Sequence, residues 1–297
     1  MFQHRLTLIY VLLPPILWGS NFVLGRAVHA TIDPISLNFL RWTIALVVLA
    51  PISLPALCRC WRMIAKRWLW IIALSLLGVV SCNTLIYLAL TMTTSAQGAL
   101  IHAATPFVTM ALAIMLTGER FDGRQFAGSL LSLCGAILVI TGGVLSASFH
   151  KGDGLMLITV VILAFFSVLL KLRPREIPAL ALLTVVILVG VVLQAPLYLA
   201  FGASVVDLIE ASPETIASAL YLGVFASAVA YWLWDKGIEA FGPTAASQYI
   251  HLMPIAAAVI AFCFLDETLS VYQWLGGALV LLGLITAQSR SITKTLN

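Results

Sequence analysis

Residues 94–143 read TSAQGALIHAATPFVTMALAIMLTGERFDGRQFAGSLLSLCGAILVITGG, and residues 242–291 repeat their pattern at a constant shift of 148. Pro106 falls on Pro254, Glu119 on Glu267, Gln125 on Gln273, and Gly128 and Gly135 on Gly276 and Gly283. Chance likeness between apolar segments matches Leu with Val. Here the matched residues are those that are costly or conformationally special in an apolar helix. An internal repeat decides architecture before any other feature is weighed. Each copy is a pair of apolar segments joined by a tight acidic link. Upstream the repeat is weaker but visible: Leu77-Gly78 matches Leu222-Gly223, and Arg26 matches Lys171, at a shift of 145.

The solvent of these segments follows from composition. The chain is 62% hydrophobic and 9% charged, with a mean hydropathy of +1.08. A soluble domain carries roughly 25% charged residues. Too little polar surface exists to face water, so the partner is a lipid bilayer. A spanning helix needs roughly 20 apolar residues. That ruler predicts ten, at about 7–27, 34–54, 68–90, 93–117, 123–145, 154–172, 178–201, 214–234, 243–265 and 271–289. The fold class is therefore an all-α polytopic membrane protein. Five spans per copy is an odd number, so the second copy enters the membrane from the opposite side. The halves, 1–147 and 148–297, are expected to be inverted five-helix repeats related by an axis in the membrane plane.

The net charge of +4 is a topology signal rather than a footprint for nucleic acid. One set of span ends holds Arg5, the group from Arg59 to Arg67, Arg120, Arg124, Lys171, Arg173, Arg175, Lys236, Arg290 and Lys294. The other holds only Arg26 and Lys151. Lys and Arg accumulate on the cytoplasmic side, so both termini are expected there. The basic start and the apolar run from Thr7 resemble a signal peptide, but no small-x-small site follows Trp18, and an uncleaved first helix is expected. Five cysteines without paired spacing, Cys58, Cys60, Cys82, Cys134 and Cys263, read as free thiols. No metal set and no cofactor loop is present, and the G-x-x-x-x-G-K-[ST] phosphate loop is missing from the sequence.

Trp18-Gly19-Ser20-Asn21-Phe22, the run from Pro34 to Arg41, and the blocks Pro106…Gly118-Glu119 and Pro254…Asp266-Glu267, each followed by a glycine-rich helix, resemble the drug/metabolite transporter superfamily. The likeness is to its ten-helix members with two EamA-type repeats, and it covers nearly the whole chain. Among them the chain is most similar to bacterial exporters of aromatic and broad-range amino acids. The resemblance implies an inner-membrane carrier that exports small metabolites by alternating access. It departs at Leu163-Ala164, where the counterpart of Trp18-Gly19 lacks the tryptophan, so the halves should line a cavity unequally.

Candidate residues follow from the cost of polarity in lipid. Trp18, Asn21 and Phe22 share a helical face, as do Asn83 and Tyr87. Gln97, His102, Tyr231, Gln248, Tyr249 and His251 add polar groups at comparable depth. All eleven are expected to line a substrate cavity, although interhelical hydrogen bonding would equally explain the amides and histidines. Pro106 and Pro254 are expected to act as paired hinges, freeing the carbonyls of His102 and Ile250; a static kink is the plainer alternative. Arg41 lies two turns inside its span, as a gate, a snorkelling cation or a holder of a substrate carboxylate. Spans 1, 3, 4, 6, 8 and 9 are expected to surround the cavity and 2, 5, 7 and 10 to brace it. Glycines 128, 135, 142, 143, 276, 277 and 283 would allow close helix approach. Glu119, Asp266 and Glu267 are expected to fix loops or cap the next helix, and Trp61, Trp68, Trp70, Trp232, Trp234 and Trp274 to form aromatic belts.

No Asp or Glu lies in the middle of a span, which favours a facilitator or weakly coupled carrier, with proton-coupled antiport through histidine as the alternative. The substrate is expected to be a small amphipathic molecule, amino acids first. Cationic drugs are the runner-up, and nucleotide sugars are disfavoured because Arg41 is the one Lys or Arg deep within a span. An enzyme would need catalytic groups gathered at one depth, and His102 and His251 have no acid to orient them. The oligomeric state is left open, a monomer being sufficient.

Overall fold

The computed structural model describes residues 2–120, 122–141, 143, 150–174, 176–202, 212–264 and 270–288. The chain is all-helical, a ten-helix membrane protein. The spans are α1 (Phe2–Ala27), α2 (Pro34–Ala65), α3 (Trp68–Leu90), α4 (Ser95–Thr117), α5 (Gly123–Thr141), α6 (Lys151–Lys171), α7 (Ala179–Phe201), α8 (Pro213–Phe241), α9 (243–264) and α10 (Val271–Gln288).

Their starts follow from capping chemistry. Asp33 precedes Pro34, and its carboxylate accepts from the amides of Ile35 at 3.0 Å and Ser36 at 2.9 Å. Thr94 caps α4 through the Gln97 amide, and Ser212 caps α8 through that of Thr215. Asp122 caps α5 through the Arg124 amide. The helix α2 outruns its expected end by three turns, through Pro51 and Pro55. Its apolar residues Val47, Ile52 and Leu54 are exposed, as a lipid-facing surface requires.

Four of the described spans are irregular. Segments Leu76–Ser81 of α3 and Leu222–Val229 of α8 are π-helical and fall at repeat-related positions. Such bulges release carbonyls from the helix ladder. The break in α4 lies at Ala103 and Ala104, just before Pro106, and α9 narrows to a 3-10 turn at Gln248–His251 before Pro254. The carbonyls expected to be freed by these prolines do not open onto a cavity. The Thr105 hydroxyl donates to the His102 carbonyl at 2.6 Å, and the Leu252 amide takes that of Ile250.

The closest packing joins α5 to α10. A Cβ on Gly128 would sit 2.5 Å from the Gly283 carbonyl oxygen, and one on Gly135 2.6 Å from that of Gly276. Residue 128 therefore faces 283 while 135 faces 276, so the two helices cross antiparallel. Gly277 does not serve this contact, since a Cβ there meets nothing within 4 Å. Gly143, at φ +87° in the turn after α5, does approach α10 closely: a Cβ there would sit 2.7 Å from the Tyr272 ring. Gly142 lies outside the described residues.

Candidate functional site

Arg41 is at the centre of the bundle, fully buried, and not snorkelling. Its Nε donates to Ser227 Oγ at 2.7 Å. One terminal nitrogen has Asn21 Oδ1 and Asn83 Oδ1 at 3.0 Å and the Tyr87 hydroxyl at 2.5 Å. The other donates to the Ala226 carbonyl at 3.1 Å. The guanidinium lies against the rings of Trp42 and Tyr87, 5.3 and 5.6 Å from their centroids. Among the described residues no carboxylate touches it. Arginine keeps its charge in proteins, so an uncompensated cation is buried among the spans.

The π segments supply the backbone of this cluster. Asn83 Nδ2 donates to the Gly78 carbonyl at 3.2 Å and to the Tyr231 hydroxyl at 2.9 Å. Trp18 Nε1 shares the Ala226 carbonyl with Arg41, at 3.1 Å. Carbonyls from repeat-related places in α3 and α8 thus replace the expected proline-freed ones. Trp18, Trp42 and Phe166 surround Tyr231 with centroids 4.9 to 5.7 Å away.

A small cavity adjoins the cluster. Trp18, Asn21 and Phe22 of α1 line it with Cys82, Asn83 and Ile86 of α3. His102 of α4, Leu163 of α6, Tyr231 of α8 and Met253 of α9 complete the wall. Its volume is about 20 Å³, enough for one water molecule. Six of the residues named from the sequence meet here: Trp18, Asn21, Phe22, Asn83, His102 and Tyr231. Tyr87 stands one step behind, donating to Asn21 Oδ1 at 2.6 Å.

Four others sit elsewhere. Gln97 Nε2 reaches Asp153 Oδ2 at 3.5 Å near the end of the bundle. Gln248 accepts from Ser129 Oγ at 2.6 Å, tying α9 to α5. Tyr249 and His251 are buried in the 3-10 turn, where His251 Nδ1 donates to the Gln248 carbonyl. Amides and rings at the right depth were placed on helix contacts, which periodicity alone does not separate from cavity faces. Arg41 shows that α2 is more than a brace. Trp234 is no belt residue: it is buried, donates to Ser167 Oγ at 3.1 Å and packs on Trp18. Trp61, Trp68 and Trp274 are exposed at span ends. Nothing in the sequence marks Cys82, Leu163, Met253 or Ser227, because small or apolar residues carry no signal of a cavity.

The end of the bundle carrying Lys171 is latched. Gly118, at φ +68°, ends α4 in the left-handed conformation. This aims Glu119 across the bundle. Its carboxylate takes the Lys171 ammonium from α6 and the Thr244 hydroxyl from α9. Arg173 joins Glu239 at 2.7 Å and Asp235 at 3.5 Å on α8. Glu119 therefore ties three spans together rather than fixing its own loop; Asp266 and Glu267 lie outside the described residues. The repeat-related Arg26, at the other end, donates to the Leu90 carbonyl. At that end a crevice of about 250 Å³ runs between α1, α4, α9 and α10, past Val23, Ala99, Pro254 and Gln273.

The comparisons agree with this architecture. Residues 5–141 and 150–287 each match the family described as the EamA-like transporter family. An uncharacterized transporter of Archaeoglobus fulgidus is 28% identical, over 90% of this chain and 92% of its own. The uncharacterized transporter YyaM of Bacillus subtilis is 26% identical, over 91% and 89%. A probable terminal-alkyne amino-acid exporter of Streptantibioticus cattleyicolor is 24% identical, over 96% and 94%. One crystal structure superposes with a TM-score of 0.75 at 18% identity, over 97% of this chain and 98% of the other, which speaks for the fold alone. The two matches together span nearly the whole chain, so the protein belongs to the EamA-like transporter family of the drug/metabolite transporter superfamily and is a transporter rather than an enzyme.

Proposed function

We propose that the protein exports amino acids or related small amphipathic metabolites across the inner membrane, through the Arg41-side cavity, by alternating access. The observation that carries this reading is the cavity itself. It is a polar patch with apolar walls lined from both halves of the chain, and the interface between halves is where secondary transporters hold their substrates. The reciprocal contacts of Gly128 with Gly283 and Gly135 with Gly276 support two inverted repeats, 1–147 and 148–297. The breaks before Pro106 and Pro254 would serve as the hinges. The Lys171 end, latched and rich in Lys and Arg, would face the cytoplasm. The amino-acid exporter among the relatives supports the substrate class. A resident cation disfavours cationic drugs.

The test is efflux from protein-containing liposomes loaded with a panel of amino acids, with and without a proton gradient, against protein-free liposomes. Selective efflux indifferent to the gradient is the expected result for a facilitator. Gradient-driven efflux would move the mechanism to proton antiport, and no movement of any amino acid would overturn the substrate class.

A further inference from the structure

Two unspent groups flank the cavity. The first is the Arg41 cation. It holds only neutral oxygens, and the nitrogen bonded to Ala226 has one acceptor for its two hydrogens among the described residues. The second is His102, 1% exposed and part of the cavity wall. Its Nε2 lies 2.8 Å from Thr159 Oγ1, while the Thr159 hydroxyl donates its one hydrogen to the Met156 carbonyl at 2.7 Å. The threonine oxygen must then accept, so His102 Nε2 carries the proton. Nδ1 is left as a bare acceptor, and among the described residues it has no hydrogen-bond partner. A buried acceptor without a donor is a standing cost. The two groups are joined through consecutive residues: Asn21 touches Arg41, and the Phe22 ring meets the His102 ring edge-on at 5.2 Å.

Resting on the export reading above, we infer that the site recognises a zwitterion by its two poles, the carboxylate at Arg41 and an ammonium N–H at His102 Nδ1. A carboxylate supplies the counter-charge that Arg41 lacks, in a charge-assisted bond. The ammonium supplies the donor that Nδ1 lacks. Phe22, Ile86, Leu163 and Met253 leave an apolar wall for the rest of the molecule, as small-ligand sites commonly do. Selection is thus for the α-amino-acid head with an apolar side chain. A lone amine meets an uncompensated cation and is rejected.

Matched trios test this: phenylalanine, 3-phenylpropanoate and 2-phenylethylamine, then leucine, 4-methylpentanoate and 3-methylbutylamine. Each compound competes for efflux of a labelled amino acid from the liposomes, using the intact protein. The expected order is zwitterion, then carboxylate about tenfold weaker, then amine weaker again by tenfold or more. In His102→Leu the zwitterion should fall to the level of the carboxylate while the carboxylate is unchanged. Arg41→Lys should keep the order at reduced affinity. An amine that competes as well as the zwitterion in both trios, or a His102→Leu protein that keeps the tenfold gap, would overturn the two-pole site. Absence of all amino-acid efflux would instead strike the export reading itself.

Discussion

Leucine at Gly135 is expected to remove most of the folded protein from the membrane. The added Cβ would lie 2.6 Å from the Gly276 carbonyl oxygen, 2.7 Å from the Val280 amide nitrogen and 3.0 Å from Leu279 Cβ. Two of these are backbone atoms, which no rotamer change can move. The α5–α10 crossing must then widen along its length, and contacts on both sides of Gly135 are lost. Overpacking a tight core costs about 1–3 kcal/mol even where side chains can adjust, so leucine here should exceed that range and alanine fall within it. The neighbouring glycines give a sharper contrast. A Cβ on Gly276 would sit 2.6 Å from the Gly135 oxygen, whereas one on Gly277 meets open space. Gly276→Ala should lower thermal stability in detergent. Gly277→Ala should be neutral or gain up to about 1 kcal/mol from helix propensity. Equal loss from both would refute the crossing.

Arg41→Leu is expected to weaken substrate binding by roughly ten- to a hundredfold while leaving the protein folded. Removing the cation orphans few acceptors, because most of its partners have another donor. Asn21 Oδ1 keeps the Tyr87 hydroxyl, and the Ala226 oxygen keeps Trp18 Nε1. Asn83 Oδ1 is the one left bare, at about 1–3 kcal/mol. Against this, burying an unpaired cation costs several kcal/mol, and that cost disappears. The net change in stability should therefore stay within about 3 kcal/mol. Substrate affinity should drop further in proportion. Hydrogen bonds to charged groups contribute about 1.5–3 kcal/mol, and 1.4 kcal/mol is tenfold in affinity, so a loss of roughly ten- to a hundredfold is expected. Thermal unfolding and efflux measured on the same preparation check both halves of this expectation. Efflux at the wild-type rate would remove Arg41 from the site.

The architecture was legible because it rests on features that leave marks in sequence. Residues spaced at 148 announced the repeat, apolar runs announced the spans, and repeat-related glycines announced close helix approach in α5 and α10, although not that these two helices meet each other. The site was half legible. Trp18, Asn21, Phe22 and Asn83 declared themselves by polar or aromatic character on shared faces of a lipid-exposed helix. Gln248 and His251 looked the same and went to helix contacts, because depth and face do not say which neighbour a side chain meets. The π segments at Leu76–Ser81 and Leu222–Val229 were invisible, since no residue type demands one. With them went the source of the polar backbone, which was assigned to the prolines. Glu119 reads as a local loop or cap residue in sequence because its partners Lys171 and Thr244 are distant from it along the chain.

The most direct measurement is the reactivity of Cys82 from the two sides of the membrane. Cys82 lines the cavity and is 2% exposed. With Cys58, Cys60, Cys134 and Cys263 replaced by alanine, it is the one thiol left in the chain. A membrane-impermeant thiol reagent would be applied to right-side-out and inside-out vesicles, for this protein and for the same protein carrying Glu119→Gln. A cavity exposed in turn to each face should label slowly from both sides in the parent. Breaking the latch with Lys171 and Thr244 should speed labelling from the Lys171 end at the expense of the Arg26 end. Access from one face alone in both proteins, or rates that rise together on both faces, would contradict alternating access through this cavity.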